Sequence, residues 1–189
     1  MSRRRLAYAS IAVVAVLCLV GVAIVAVAAG GTALAYQVNG TRVSQRDFDK
    51  QLDEIANTKA TKQVSHTDGS IDSGTAAQVM NVNILRDILR DVADQRGTKL
   101  SDADRTAGTT AAKSQLGANY ANAPTRYRST VAELFAYANA LGLKSSDALN
   151  AFLTEQALKA HVYVNPRYGQ WRPRQGGVCP PSGCPVSGG

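Results

Sequence analysis

The side chains that could carry chemistry are few and far apart. The chain has three cysteines, Cys18, Cys179 and Cys184, and two histidines, His66 and His161. Their spacing matches neither a zinc site, which needs a second cysteine or histidine pair, nor a C-x-x-C redox centre. The acidic residues are scattered, and no nucleophile stands beside a base. The sequence therefore predicts no catalytic residue, no metal site and no cofactor, and we expect a binding protein that is not an enzyme.

The two C-terminal cysteines are spaced for a local bond. Cys179 and Cys184 enclose two prolines and a glycine in "CPPSGC", which predicts a tight turn that brings the two sulfur atoms together. In an oxidising compartment such a pair forms a disulfide. Because the bond closes only a small loop, we expect it to add little to the stability of the whole chain.

The N-terminus carries a membrane-targeting signal. Three arginines, Arg3 to Arg5, precede a stretch from Leu6 to Ala29 that contains no charged residue. A helix of this length, at about 1.5 Å per residue, can cross the hydrocarbon core of roughly 30 Å. The arginines favour the cytoplasmic side. The sequence therefore predicts one transmembrane or signal helix, with the rest of the chain exported.

The fate of this helix is open to three interpretations. The small-x-small pattern that ends at Ala35 permits cleavage by signal peptidase after that residue. The apolar run is longer than the usual signal core of about 7–15 residues, so a retained single-pass anchor is an equal alternative. Lipid attachment at Cys18 is a minor third, because Leu17 stands where a lipobox needs a small residue.

The charge balance argues against nucleic acid as a partner. The formal net charge is +7, of which Arg3 to Arg5 contribute three, and no acidic residue occurs before Asp47. The remaining +4 makes the exported part only mildly basic. Nucleic-acid binding usually needs lysines and arginines clustered on one face.

The exported part opens with the pattern of a β-hairpin and a capped helix. Two β-capable runs flank Asn39-Gly40, the residues that a type I′ turn prefers. Ser44 then predicts a helix N-cap, with Asp47 three residues later as in a capping box. The apolar face of this helix would consist of Phe48, Leu52 and Ile55. Residues 59–74, which include His66 and Asp68, are polar without periodicity and predict a loop.

The strongest helical pattern runs from about Ala76 to a C-capping Gly97. Its apolar stripe consists of Val79, Val82, Leu85, Ile88, Leu89 and Val92. Its opposite side, which we expect to be solvated, carries Arg86, Asp87, Arg90, Asp91 and Asp94.

Three weaker helical patterns follow. Ser101 caps the first, which we expect to pack loosely because it can bury only Ala103, Ala107, Ala111 and Leu116. The second lies between Pro124 and Gly142, with a stripe of Tyr127, Val131, Leu134, Phe135, Ala138 and Leu141. The third is capped by Ser145 or Ser146, with apolar Leu149, Phe152, Leu153 and Leu158.

The C-terminal segment "VYVNP" has the alternation of a short strand. A lone strand cannot satisfy its backbone groups, and the only other strand candidates are Tyr36–Val38 and Thr41–Val43. We therefore expect one small sheet that joins the two ends of the domain. The aromatic residues nearby would cover the helices where the ends meet; they are Tyr163, Tyr168 and Trp171.

Three segments, taken in order, resemble the N-terminal chaperone domain of the SurA/PrsA family of extracytoplasmic foldases. "AYQVNGTRVSQRDFD" is similar to the family's opening turn, strand and capped helix. "NILRDILRDVADQRGTKLSDAD" is similar to its long amphipathic helix and next helix start, and "VYVNPRYGQW" to its closing strand. The resemblance covers most of the chain from Ala35 to Trp171. It implies a chaperone-like helical domain with a cleft between helices that binds unfolded or nascent secreted polypeptides.

The chain departs from the family in one respect. Full-length relatives usually carry a parvulin prolyl-isomerase domain, and no parvulin-like segment is present in this sequence. The resemblance therefore implies a chaperone-like protein without isomerase activity. The client-binding residues and the oligomeric state are not indicated by the sequence. The alternative is a non-catalytic cell-envelope interaction or scaffold protein, whose basic tail contacts an anionic polymer or lipid.

The sequence predicts three segments in all. Residues 1–35 form the signal peptide or transmembrane anchor, 36–172 the mostly α domain with its small sheet, and 173–189 an irregular Pro/Gly-rich tail with the local disulfide. We expect the protein at the outer face of the cytoplasmic membrane or in the cell envelope. Its expected partners are the membrane and unfolded or nascent secreted polypeptides.

Overall fold

The computed structural model describes residues 33–58, 72–175 and 177–184. The chain divides after Ala33, and the description that follows concerns the second unit, Leu34–Gly189. Its described part is mostly helical, with five α-helices and two small antiparallel sheets. The prediction of a mostly α domain with a small sheet is confirmed. The predicted signal or transmembrane helix, Leu6 to Ala29, lies outside the described residues, and no helix among those described is long and apolar enough to cross a bilayer.

The larger sheet joins the two ends of the domain, as predicted. Its strands are β1 (Leu34–Val38), β2 (Thr41–Ser44) and β3 (Val162–Val164), in the order β2-β1-β3. Both neighbours of β1 run antiparallel to it. The hairpin between β1 and β2 has φ of 45° at Asn39 and 96° at Gly40, the positive values that a type I′ turn requires.

The first strand begins before the predicted domain boundary at Tyr36. Ala35 is fully buried, and its carbonyl oxygen accepts a hydrogen bond from the Asn165 backbone N–H at 2.8 Å. The Leu34 carbonyl accepts from the Asn165 side chain at 2.9 Å. The small residue that resembles a cleavage site is therefore also a tightly packed core position, and a cut after Ala35 would remove both carbonyl acceptors from the sheet.

Two helices follow the hairpin. Helix α1 (Gln45–Ala56) begins at the predicted N-cap, Ser44, whose hydroxyl accepts from the Asp47 backbone N–H at 3.1 Å. Helix α2 (Ser73–Gln95) is capped by Asp72, so it begins inside the segment 59–74 that the sequence predicts as a loop. Residues 59–71, which include the predicted loop residues His66 and Asp68, lie outside the described part.

Three further helices complete the domain. They are α3 (Asp102–Leu116), α4 (Thr125–Ala140) and α5 (Ser146–Lys159). Ser101 caps α3 in a full capping box with Asp104, and Ser145 caps α5.

The contact between α3 and α4 corrects the predicted buried face of α3. Ala103 is exposed, whereas Gly108 and Ala112 are buried. A side chain at Gly108 would collide with the Ala132 carbonyl oxygen and with the backbone nitrogen and Cβ of Ala136. The two helix backbones therefore approach closely at Gly108, and the expectation of loose packing is wrong.

The core consists of two clusters of buried side chains. The larger lies between the sheet, α1 and α2, and is built around Tyr36, Val38, Phe48, Met80, Ile84, Ile88 and Tyr168. The smaller joins α2, α4 and α5 through Leu89, Leu134, Ala138 and Leu153. Leu158 of α5, predicted to be part of an apolar face, is 52% exposed.

The C-terminal tail is more ordered than the sequence predicts. After β3 the chain forms β4 (Gln170–Arg172) and β5 (Gly177–Cys179), which pair antiparallel. The tail predicted to be irregular from residue 173 therefore contributes a strand. The backbone at Gly169 lies so close to Cys179 that no side chain fits there, because a Cβ would collide with the Cys179 carbonyl.

The three aromatic residues near the closing strand have different environments. Tyr168 is buried, its ring centroid is 4.9 Å from that of Phe48, and its hydroxyl donates to Asp49 at 2.6 Å. Trp171 is half-buried against the larger core cluster. Tyr163 is 49% exposed, so the prediction that all three cover the helices is wrong for this residue.

Candidate functional site

An open groove of about 580 Å³ lies between the C-terminal half of α2, the end of α5 and the β1–β2 turn. Its apolar wall is formed by Ile88 and Val92 of α2 and by Ala160. Its rim is polar and consists of Asn39, Asp91, Gln95, Gln156, Lys159 and His161. The volume lies within the range of ligand sites, in which apolar surface supplies affinity and polar groups supply orientation, although this lining is more polar than is usual.

Asn39 holds the three walls of this groove together. Its backbone N–H donates to the His161 carbonyl at 2.9 Å, and its side-chain oxygen accepts from the His161 backbone N–H at 2.8 Å. Its amide nitrogen donates to the Asp91 carboxylate at 2.7 Å. The sequence explains Asn39 only as a turn residue. Its side chain also fixes the turn against α2 and the start of β3.

The charged groups at the rim are largely matched within the protein. The Asp91 carboxylate accepts from Asn39 and also from Gln95, at 2.9 Å. The Lys159 ammonium pairs with Glu155 at 2.5 Å, and this hydrogen bond, together with the lysine charge, lowers the pKa of Glu155. The groove therefore does not present an uncompensated field of one sign.

Two rim side chains remain available to a ligand. Neither the Gln156 amide nor the His161 ring makes a hydrogen bond within the described residues. A glutamine amide both donates and accepts, so it matches the N–H and C=O groups of a peptide backbone whatever side chains the peptide carries.

One histidine, His161, is among the residues that line the groove. His161 is exposed, and within residues 33–58, 72–175 and 177–184 its ring contacts neither a hydroxyl nor a carboxylate. No cluster of three or more His, Cys, Asp and Glu side chains that could hold a metal ion occurs in that described part of the chain. The arrangement can bind a ligand through apolar contact and hydrogen bonds.

A buried ionic cluster stands behind the groove and connects the sheet to α2 and α4. Asp87 is only 2% exposed and accepts a hydrogen bond from the Tyr36 hydroxyl at 3.2 Å. Its carboxylate is 2.9 Å from the Arg86 guanidinium and 3.1 Å from that of Arg90. Arg86 also reaches Glu133 of α4 at 3.2 Å.

Burial and neighbouring charges shift the pKa values of two members of this cluster, Tyr36 and Arg86. Burial raises the pKa of the Tyr36 hydroxyl, and the Asp87 charge raises it further, so the hydroxyl remains a donor. Burial acts to lower the pKa of Arg86, but the combined effect of Asp87, Tyr36 and Glu133 outweighs it and the pKa is raised. The cluster therefore links β1 to α2 through Tyr36 and Asp87, and α2 to α4 through Arg86 and Glu133.

The burial of Asp87 corrects the prediction that the charged side of α2 is solvated. Asp87 lies three residues after Ile84, on the apolar stripe rather than opposite it. A signal was present in the sequence, because arginines stand one residue before and three residues after Asp87. Those two positions allow both guanidinium groups to reach the same carboxylate.

The predicted disulfide is present. The sulfur atoms of Cys179 and Cys184 lie at bonding distance, with the two Cα atoms 4.7 Å apart. Cys179 ends β5, so the bond fastens the last described turn to the smaller sheet. Neither Cys179 nor Cys184 lines the groove.

Comparison with models of known protein families, with curated proteins and with solved structures finds no match to this chain.

Proposed function

We propose that this protein is a chaperone-like binding protein that holds short extended segments of unfolded or nascent secreted polypeptides in the groove between α2 and α5. The single observation that carries the proposal is the combination of an apolar wall with a rim rich in amide side chains. This combination suits a ligand whose backbone is exposed and whose side chains vary, as in an unfolded chain.

The dimensions of the groove support a segment rather than a whole protein as the ligand. A volume of about 580 Å³ is in the range of sites that enclose a small molecule or a few residues of a peptide. Binding over such a short stretch gives modest affinity and rapid release, because few apolar contacts form. Reversible capture of this kind needs no nucleotide and no catalysis, and we include the absence of prolyl-isomerase activity in the proposal.

The proposed location is the exported side of the membrane. The disulfide between Cys179 and Cys184 favours an oxidising compartment. The charge-free N-terminal segment after Arg3 to Arg5 favours the same side. The resemblance to the SurA/PrsA chaperone domain gives a third, independent reason.

A binding and aggregation assay tests the proposal. The full-length chain, in a mild non-ionic detergent, is mixed with a chemically denatured client protein on dilution, and light scattering is followed. A fluorescent, extended apolar peptide is titrated in parallel. We expect suppressed scattering at near-stoichiometric amounts and saturable peptide binding.

The substitution Gln156→Trp locates the site. Gln156 lies at the rim without a hydrogen bond in the described part of the chain, so a large ring there should fill the groove and leave the core intact. We expect peptide affinity to fall at least about tenfold, which corresponds to roughly 1.4 kcal/mol. The matched control is Gln115→Trp on the exposed surface of α3, which should bind as the unchanged chain does.

Other results would point elsewhere. If the chain did not suppress aggregation and did not bind the peptide, the chaperone proposal would be overturned. The envelope scaffold would then be the better interpretation. Clear acceleration of prolyl isomerisation would overturn the non-catalytic part. If the Gln156→Trp variant bound the peptide as tightly as the unchanged chain, the proposed function would stand. The groove between α2 and α5 would then not be its site.

A further inference from the structure

The α3–α4 hairpin, defined as α3, α4 and the turn between them, separates its charges along its length. Residues 106–132 contain three cationic side chains, Lys113, Arg126 and Arg128, and no acidic one. At the other end of the hairpin, Asp104 at the start of α3 accepts a hydrogen bond from Asn139 near the end of α4, at 2.7 Å. The two helices are therefore antiparallel, and the C-terminus of α3 and the N-terminus of α4 form a positively charged tip.

The tip is organised around one aromatic ring. The Lys113 ammonium lies 5.8 Å from the centroid of the Tyr120 ring, and the Arg128 guanidinium carbon lies 5.4 Å from it. Arg128 also donates to the Thr125 hydroxyl at 3.0 Å. Arg126, two residues before Arg128 on α4, is exposed. Two cationic side chains of the tip therefore lie close to the same ring, Tyr120.

These cations are not neutralised within the described residues. None of Lys113, Arg126 and Arg128 forms an ion pair with an acidic side chain in that part of the chain. The nearest acid along α4, Glu133, is already occupied by Arg86. Maintaining like charges together costs energy, which an anionic partner would offset.

The surface between the cations is uncharged. The turn from Gly117 to Pro124 contains three alanines and Tyr120 and no charged residue. A tip that combines lysine and arginine with a tyrosine and small apolar residues is complementary to the headgroup layer of an anionic bilayer, in which aromatic rings sit at the interface and cations meet phosphates.

We propose that this tip, formed by Lys113, Tyr120, Arg126 and Arg128, docks on the anionic phospholipid headgroups of the membrane. Lipid is favoured over a soluble polyanion because the same chain carries the charge-free segment Leu6 to Ala29, whose predicted insertion would keep the domain beside a bilayer at high effective concentration. The groove between α2 and α5 is formed by other helices, so this inference does not depend on peptide binding, although it rests on the proposed membrane location.

Lysine footprinting tests the proposal on the full-length chain. The chain is mixed with vesicles of phosphatidylcholine alone or of phosphatidylcholine with phosphatidylglycerol, and the rate of amine acetylation at each lysine is measured by mass spectrometry. Lys113 reports on the tip. Lys99 and Lys144, before α3 and after α4, are exposed and report on the opposite end. We expect several-fold slower acetylation of Lys113 only with phosphatidylglycerol, and recovery in high salt.

Charge-removing variants make the test specific. Arg126→Gln and the double variant R126Q/R128Q should weaken the protection of Lys113 by about fivefold for each charge removed. The single variant matters because the Arg126 side chain makes no hydrogen bond in the described residues, so it changes charge without disturbing the turn. The matched control is R42Q/R46Q, which removes two exposed cations at β2 and α1 and should leave Lys113 protected.

Four results would overturn the inference. The first is unchanged acetylation of Lys113 in anionic vesicles, and the second is equal slowing with phosphatidylcholine alone. The third is an equal loss of protection in R42Q/R46Q, which would mean that only the net charge matters. The fourth is equal protection by soluble inorganic polyphosphate without vesicles, which would identify a general polyanion surface instead of a lipid-binding one.

Discussion

Around the larger sheet, the chain is held by large side chains that come from distant parts of the sequence. The rings of Phe48 and Tyr168 meet edge to face, and the Tyr36 hydroxyl reaches the buried Asp87. The α3–α4 hairpin is held in the opposite way. Its helices are neighbours in sequence, and at Gly108 they touch through backbone and alanine atoms.

The difference teaches where each region is vulnerable. The sheet region depends on bringing residues together across the whole domain and on neutralising a buried charge, so losing one partner exposes several groups at once. The hairpin depends on the absence of a side chain at Gly108, so an added methyl group is harmful there. The following changes, from the largest expected effect to the smallest, test this contrast.

Ending the chain at His161 should abolish cooperative unfolding. This change removes β3, the partner of Tyr36 and Val38 in β1, and it also removes Tyr168, which covers Phe48. Circular dichroism during heating and urea titration would show the loss. A chain that ends at Cys184 retains every described element and should melt like the full-length chain. An unchanged melting temperature for the shorter chain would show that the sheet region does not need its distant strand.

Asp87→Ala should reduce the free energy of unfolding by about 3–5 kcal/mol. The substitution leaves Arg86 and Arg90 without their shared carboxylate and Tyr36 without an acceptor. The midpoint of urea denaturation, with an unchanged slope, measures the effect. Asp94→Ala, an exposed acid on the same helix, is the matched control and should stay within about 0.5 kcal/mol. If Asp87→Ala reduced the free energy of unfolding by less than about 0.5 kcal/mol, the ionic cluster would not stabilise the sheet region.

Gly108→Ala should reduce the free energy of unfolding by about 1–2 kcal/mol, although alanine favours a helix by about 1 kcal/mol over glycine. The new methyl group would collide with the Ala132 carbonyl, and backbone atoms cannot move aside as a flexible side chain can. Thr110→Ala, on the exposed side of α3, should be nearly neutral in the same urea titration. A stabilised Gly108→Ala variant would show that the two helices do not approach closely.

Ser101→Ala should have the smallest effect, about 1 kcal/mol or less at neutral pH. Hydrogen bonds from the Ser101 hydroxyl and backbone and from Asn139 lower the pKa of Asp104 below its ordinary value. A lowered pKa means that the stabilisation is complete above the ordinary aspartate pKa of about 4 and disappears as the pH falls through the folded value. The penalty of Ser101→Ala should therefore shrink in acid, and urea titrations of both chains at several pH values would measure it.

The control for the capping box is Ser114→Ala, an exposed position on the same helix without a side-chain hydrogen bond. Its free energy of unfolding should follow that of the unchanged chain at every pH. If Ser101→Ala reduced the free energy of unfolding by the same amount at acidic and neutral pH, the contribution of the cap would not depend on the ionisation of Asp104.

The sequence predicts the features of this fold that depend on local chemistry. Asn39-Gly40 predicts the hairpin because few other residues tolerate two successive positive φ angles. Ser44, Ser101 and Ser145 predict helix starts because a serine hydroxyl satisfies backbone N–H groups nearby. The pairing of β1 with β3 followed from the need of a short strand for a partner.

The features that were missed depend on how distant elements approach one another. The burial of Asp87 requires Tyr36, from a strand far away in sequence, to lie against α2. The need for a glycine at position 108 arises because α4 packs against α3 at that point. The groove is formed by α2, α5 and the hairpin turn together, so no single segment carries its pattern. For this reason, the sequence alone does not identify the residues of the groove.

The antiparallel pair of Tyr36 and Val164 has a consequence for the order in which the chain folds. Synthesis delivers the N-terminal end first, so β1 and the five described helices are made before β3. Until then β1 has one edge without its partner, and Phe48 lacks the ring of Tyr168. Closure of the domain is therefore postponed to the arrival of its last residues. A prematurely terminated chain would stay open to proteases, and only a completed chain would acquire its full protection.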